Sequence, residues 1–234
     1  MKPVVVFRHA QCEGAGYLGV FLNQKNIPWQ EIRIDLGEEI PNEVTRYAGL
    51  AFMGGPMSVN DDLPWIPHAL ELIEQAFKHD VPVIGHCLGG QLMSMALGAS
   101  VTKNPVEEIG WGTLHVDENA DAKKWFGNTK QFLGFHWHSE TFALPSGAKR
   151  LLFSQYCDNQ AYAINKHLAM QCHLEMTDEL VRKWYKCWGL SVESSTSPAV
   201  QKKQQVFENL SKRIKQLNQQ AYELYAKWTR NLDA

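Results

Sequence analysis

Short strand-like runs alternate with stretches of helical periodicity along the N-terminal part of this chain, and that alternation limits the folds open to it. Val4-Val5-Val6-Phe7, Glu31-Ile32-Arg33-Ile34-Asp35-Leu36, Leu50-Ala51-Phe52-Met53 and Val81-Pro82-Val83-Ile84 are the first four candidate strands. Between the last two, Ile66, Ala69, Leu70, Ile73, Ala76 and Phe77 fall at helical spacing, which predicts a helix covering one sheet face. Strand, helix and strand in succession imply parallel pairing, because parallel neighbours need a crossover and both faces need cover. The expected fold is therefore α/β, a doubly wound and mostly parallel sheet flanked by helices. Ligands of such sheets bind at the carboxyl ends of the strands.

Two glycine-rich turns fall at those ends. Gly54-Gly55-Pro56 follows the third run, and Gly85-His86-Cys87-Leu88-Gly89-Gly90-Gln91 follows the fourth. Helical spacing resumes from Gln91 to Leu97 and stops at Gly98, so Cys87 sits on a strand-to-helix corner. Glycines allow the strained turn that lifts a nucleophile above the sheet edge, as in the G-x-S-x-G elbow. The positive end of the following helix favours a thiolate. A backbone N–H from Leu88, joined by one from Gly54 or Gly55, is placed to hold an oxyanion.

A thiolate needs a proton acceptor, and the acceptor needs an orienting group. Ala161–Ile164 and His167–Cys172, joined at Asn165-Lys166, read as a hairpin, with His173 and Glu175 at the end of its second strand. With a period of two, both side chains face one side, where the carboxylate fixes the imidazole tautomer and supports the imidazolium.

Elbow, H-x-E pair and order of elements resemble a class I glutamine amidotransferase domain of the Cys-His-Glu type, over about residues 1 to 190. The likeness is to a stand-alone member, similar to the glutaminase domains of GMP synthases. Its motifs are Gly54-Gly55-Pro56, Gly85-x-Cys87-x-Gly89-Gly90-Gln91, Ile109-Gly110-Trp111-Gly112, His136-Trp137-His138-Ser139-Glu140-Thr141-Phe142 and His173-x-Glu175. Leu174 departs from the usual proline, and Ser139-Glu140 from the Gly-Asp of many members. The resemblance implies a flavodoxin-like sheet and a triad of Cys87, His173 and Glu175. It implies cleavage of the γ-amide of glutamine or a γ-glutamyl compound through a cysteine thioester, with Gln91 and His138 positioning the small-molecule substrate. No cofactor is implied. A separate synthetase subunit is one partner consistent with the family. The alternatives are a γ-glutamyl peptidase with no synthetase, and a non-catalytic thiol that senses redox state or binds a ligand.

The remaining features narrow the class. With 234 residues, 44% of them hydrophobic, and a net charge of -2, the chain supports a large core and lacks the basic excess of a nucleic-acid binder. No apolar run is long enough for a bilayer, and the Met1–Phe7 segment reads as the first strand, not as a signal peptide. Five cysteines, Cys12, Cys87, Cys157, Cys172 and Cys187, with no C-x-x-C, suit a reducing cytoplasm better than a disulfide framework or a zinc site. His136 and His138 flank Trp137 at a spacing that suggests metal, but no third ligand lies at suitable spacing nearby, so no metal site is expected. Trp111 is read as a packed aromatic on a turn, and His9 and His86 as packed groups behind the site.

After Trp188 the polar run Ser191–Pro198 is expected to end the sheet's contribution and to begin a C-terminal segment, 191–234. There Phe207, Leu210, Ile214, Leu217, Ala221, Leu224 and Trp228 recur at three and four residues, an amphipathic helix. It is expected to pack on the same domain, the alternative being a homodimer or partner surface.

Overall fold

The computed structural model describes residues 2–232. In chain order its elements are β1 (Val4–Arg8), α1 (Gly16–Gln24), β2 (Trp29–Arg33), β3 (Gly49–Phe52), α2 (Trp65–Lys78), β4 (Val83–His86) and α3 (Leu88–Ala96). There follow β5 (Val101–Val116), α4 (Ala120–Phe126), β6 (Gln131–Phe142), β7 (Lys149–Phe153), β8 (Ala161–Ile164) and β9 (His167–Met170). The chain closes with α5 (Asp178–Ser194), β10 (Ala199–Val200), α6 (Lys203–Phe207) and α7 (Leu210–Thr229).

Among the described residues ten strands join one sheet, ordered β10-β5-β7-β8-β9-β4-β3-β1-β2, with β6 hydrogen-bonded to β5 off that path. The run β2-β1-β3-β4-β9 is parallel throughout. Beyond β9 the sheet turns antiparallel through β8, β7, β5 and β6. It is the expected α/β sheet, mostly parallel and covered by helices on both faces.

Alternation along β1 explains the two layers. Val4 and Val6 point to one face and join a core with residues of α1, α5 and α7, whereas Val5 and Phe7 meet residues of α2 and α3 on the other. All four are fully buried, so an apolar run without polar alternation is what a central parallel strand requires.

Several expectations need correction. The second strand stops at Arg33, and Ile34–Leu36 forms a 3-10 turn. The first strand is Val4–Arg8, and Met1 of the run that predicted it lies outside the described residues, as do Asp233 and Ala234 of the 191–234 segment. The polar run after Trp188 does not end the sheet: α5 continues to Ser194, and Ala199–Val200 pairs with Glu108–Ile109 of β5 as a further strand. Small polar residues suit either a loop or an exposed helix face, and a two-residue strand has no periodicity to detect. The C-terminal stripe divides at Asn209, whose φ of 53° starts α7 apart from α6. Asparagine tolerates that left-handed conformation better than most residues. The face of α7 that carries Leu217, Ala221, Leu224 and Trp228 is buried in the same core as α1.

The cysteine reading is corrected as well. Cys12, in the loop after β1, and Cys187, in α5, form a disulfide across 175 residues of sequence, leaving Cys87, Cys157 and Cys172 as free thiols. Spacing between cysteines cannot reveal that this loop and this helix meet.

Candidate active site

Packing against neighbouring backbone forms the elbow. A Cβ at Gly89 would stand 2.0 Å from the Phe52 carbonyl oxygen, and one at Gly90 2.6 Å from that of Met170, so only glycine lets α3 seat between β3 and β9. Cys87 takes φ 50°, ψ −108° at the corner and donates its N–H to the Met170 carbonyl at 2.7 Å. A non-glycine residue there costs about 1–3 kcal/mol in backbone strain, a conformation kept only where the surroundings over-determine it. Leu88 opens α3, so its N–H belongs to the first turn, whose amides have no intrahelical acceptor.

The Gly54-Gly55 loop stands opposite. A Cβ at Gly55 would come 2.8 Å from a Leu88 side-chain carbon, which measures how closely loop and elbow approach. His9, buried behind the loop, donates from Nδ1 towards the carbonyls of Met53 at 3.1 Å and Gly54 at 3.3 Å. Burial lowers its pKa to about 4, so it is neutral. Its packed position matches the sequence reading.

The hairpin β8–β9 forms as expected, with Asn165 at φ 54° in its two-residue turn. Its second strand ends at Met170, however, before His173. The segment instead bends towards β6, where the His173 N–H donates to the Phe135 carbonyl at 2.8 Å. Its carboxylate partner still arrives: His173 Nδ1 donates to Glu175 Oε1 at 2.6 Å, both side chains being buried. Glycine 16, at φ +51°, brings the start of α1 against this bend, and the Tyr17 N–H donates to the Glu175 carbonyl at 2.7 Å.

Charge inside the site follows from these contacts. Burial opposes an imidazolium at His173, but the Glu175 carboxylate and then Cys87 outweigh it and hold its pKa well above the ordinary value. Glu175 is held below the carboxylate range, because the His173 and His86 contacts overcome the cost of its burial. His173 Nε2 has no hydrogen-bond partner among the described residues. On the other side of the carboxylate, His86 Nε2 lies 3.8 Å from Glu175 Oε2 and 2.9 Å from the Tyr225 hydroxyl of α7. Burial lowers the pKa of His86 to about 4.

Cys87, Gln91, His138, His173 and Gly55 line one cavity of about 390 Å³ with Glu13, Trp137, Trp184 and Trp188. Gln171 donates to Cys87 Sγ at 3.4 Å, and Gln91 in turn donates to Gln171 Oε1 at 3.1 Å. Sequence reasoning missed Gln171, Trp184, Trp188 and Glu13 as parts of the site. Glu13 is buried with Oε2 unpartnered, and desolvation raises its pKa to about 8. A lone glutamate in a loop carries no spacing signal; only its approach to Gly54 and His173 reveals it.

His138 lines the cavity with its ring turned towards protein groups. Its Nδ1 donates to the Glu140 carbonyl at 3.0 Å, and Nε2 lies 3.2 Å from Glu108 Oε2 and 3.3 Å from Gln160 Nε2. Both ring nitrogens thus face protein groups. The β5–β6 ladder sets Glu108 directly opposite His138, a neighbour to His136 and His138 that spacing along the sequence did not reveal. Trp111, read as a packed aromatic, is buried and donates from Nε1 to the Val206 carbonyl at 3.0 Å.

A doubly wound sheet carrying a cysteine on its strand–helix corner, with a histidine–carboxylate pair beside it, defines an α/β protein of the nucleophile-elbow class. The chain belongs to the class I glutamine amidotransferase family: the family model, Glutamine amidotransferase class-I, matches residues 9–184. A glutamine amido transferase from Methylobacillus flagellatus superposes with TM-score 0.97 at 41% identity, covering 100% of this chain and 96% of that one. The glutamine amidotransferase-like protein YfeJ of Salmonella typhimurium is 30% identical over 180 residues, 74% of this chain and 75% of the relative. A GMP synthase [glutamine-hydrolyzing] of Lactobacillus delbrueckii is 30% identical over 132 residues, 55% of this chain, and the match spans 24% of the synthase.

Proposed function

We propose that the protein is a cysteine-dependent amidohydrolase, cleaving the γ-amide of glutamine or of a γ-glutamyl amine through a thioester on Cys87. The observation that carries this reading is the meeting of Cys87 and His173 in one cavity, with His173 held by Glu175 at 2.6 Å. Family membership supports glutamine amide hydrolysis or transfer in general.

In the proposed reaction the Cys87 proton resides on His173, and the thiolate attacks the γ-carbonyl carbon. The carbonyl electrons move to oxygen, which meets N–H groups of Leu88 and of the Gly54-Gly55 loop. Collapse of the tetrahedral species re-forms the carbonyl and breaks the C–N bond as His173 passes its proton to the departing nitrogen. Ammonia or an amine leaves a γ-glutamyl thioester. Water then gives a proton to His173, attacks the thioester and expels the Cys87 thiolate, releasing glutamate. Gln91 acts through Gln171, which holds the sulfur, while His138 holds the cavity wall. Lys103, Glu107 and Glu140 also line the cavity, so both signs of charge are present for the α-carboxylate and α-ammonium of an amino-acid substrate.

A second reading, delivery of ammonia to a separate synthetase, draws support from the similarity to GMP synthases, of which the chain spans about a quarter. Glutamate release from glutamine and from a γ-glutamyl peptide, with wild type beside Cys87→Ala, tests the proposal. Cleavage lost in the variant supports it. Peptide cleavage favours the stand-alone hydrolase, and turnover of glutamine alone favours the ammonia supplier. Reversible oxidation of Cys87 by peroxide with no turnover of either substrate would instead favour the thiol sensor.

A further inference from the structure

We propose that Glu108, His136 and His138 form a binding site for one divalent transition-metal ion of the zinc class, on the sheet behind the cysteine cavity. One ligand atom from each residue lies within 4.8 Å of the other two, and all three side chains are buried. Two imidazoles and a carboxylate are the donor set such ions take, with a fourth position left for water.

The β5–β6 ladder builds this arrangement. His136 and His138, two residues apart on β6, face one side of the sheet, while Glu108 of β5 stands opposite His138 and Gly110 opposite His136. A side chain at Gly112 would meet the His136 ring at 2.9 Å, so the glycine leaves room for that imidazole. The ligand candidates have orienting partners of their own. His138 donates from Nδ1 to the Glu140 carbonyl, which turns Nε2 towards Glu108. Glu108 accepts from Ser154 Oγ at 2.9 and 3.1 Å and from Gln160 Nε2 at 2.8 Å. Partners of this kind fix the tautomer and the carboxylate geometry of metal ligands.

The buried state of His136 asks for a cation. Neither ring nitrogen of His136 has a hydrogen-bond partner among the described residues, and the residue is only 2% exposed. An unpaired buried imidazole costs about 1–3 kcal/mol, and a metal ion satisfies it together with the other two groups. A cavity of about 430 Å³, lined by Glu108, His136, Ser154, Tyr156 and Gln201, gives access to two of these ligands, Glu108 and His136. The ion would fix the short stretch of β6 that presents the Trp137 carbonyl to Cys87 Sγ, 3.9 Å away.

Cobalt(II) and zinc(II) binding to the full chain tests this without reference to turnover, in a Cys87→Ser background that removes the elbow thiol. The expected result is about one ion per chain after dialysis, with visible d–d bands for cobalt and no thiolate charge-transfer band. His136→Ala should weaken binding by at least about 100-fold, and Ser154→Ala, which removes only an orienting hydrogen bond, by about 10-fold. The parent's melting temperature should rise with metal and return with chelator, a readout that stands even if a ligand variant does not fold. No bound ion, a thiolate band, or unchanged affinity in both variants would overturn the site.

Discussion

The two halves of the sheet present their chemistry in different ways. On the parallel half, Gly55, Cys87 and Leu88 come from turns at the ends of β3 and β4, adjacent strands, and each turn is a contiguous motif. On the antiparallel half, Glu108, His136, His138, Ser154 and Gln160 come from two strands and the loop between β7 and β8, and no two elements in that group are read from one motif. Local turns encode the elbow, whereas ladder register encodes the far wall.

Loss of the proposed nucleophile cuts deepest into the parallel half. Cys87→Ala should lower turnover of any γ-glutamyl substrate by at least about 10⁴-fold, read as glutamate release, while the unfolding midpoint moves little. Glu175→Gln keeps the shape but removes the charge that supports the His173 imidazolium, and a loss of about 10³-fold in kcat is expected. If Glu175→Gln were as active as wild type, the pair would be structural, and the contrast between the halves would lose its functional meaning.

Stability changes sharpen the comparison further. Gly89→Ala drives a methyl group into the Phe52 carbonyl and should destabilise the fold by about 3 kcal/mol or more in urea unfolding. On the opposite wall of the cavity, Glu13 has a folded pKa of about 8 against 4.5 in the open chain, so the folded state binds more protons between those values. Its contribution to stability is complete below pH 4.5 and is lost as pH rises through about 8. Glu13→Gln should therefore flatten the fall in stability across that window. The smallest effect is expected from Tyr225→Phe, which removes the hydroxyl beside His86 and should cost about 1 kcal/mol.

The strands of the parallel half were legible because buried parallel strands are continuous apolar runs, and the elbow because glycines must flank a cysteine that turns so sharply. His173 and Glu175 were legible as a pair, although the bend that joins them is not the strand their period predicted. Glu13, Gln171 and Glu108 were hidden for one physical reason. Each acts through a neighbour far along the chain, and a single polar residue carries no period. Cys12 and Cys187 were hidden in the same way, since 175 residues separate two sulfurs that meet in space.

The Tyr225–His86 contact also sets an order of events during synthesis. Tyr225 lies 139 residues beyond His86, so a ribosome releases the elbow, then His173 and Glu175, well before it makes the hydroxyl that backs them. Until α7 docks, His86, which stands between Tyr225 and the Glu175 carboxylate, lacks the hydroxyl that meets its Nε2. The nascent chain thus carries every group of the proposed triad in an unfinished setting, and translation completes that setting last.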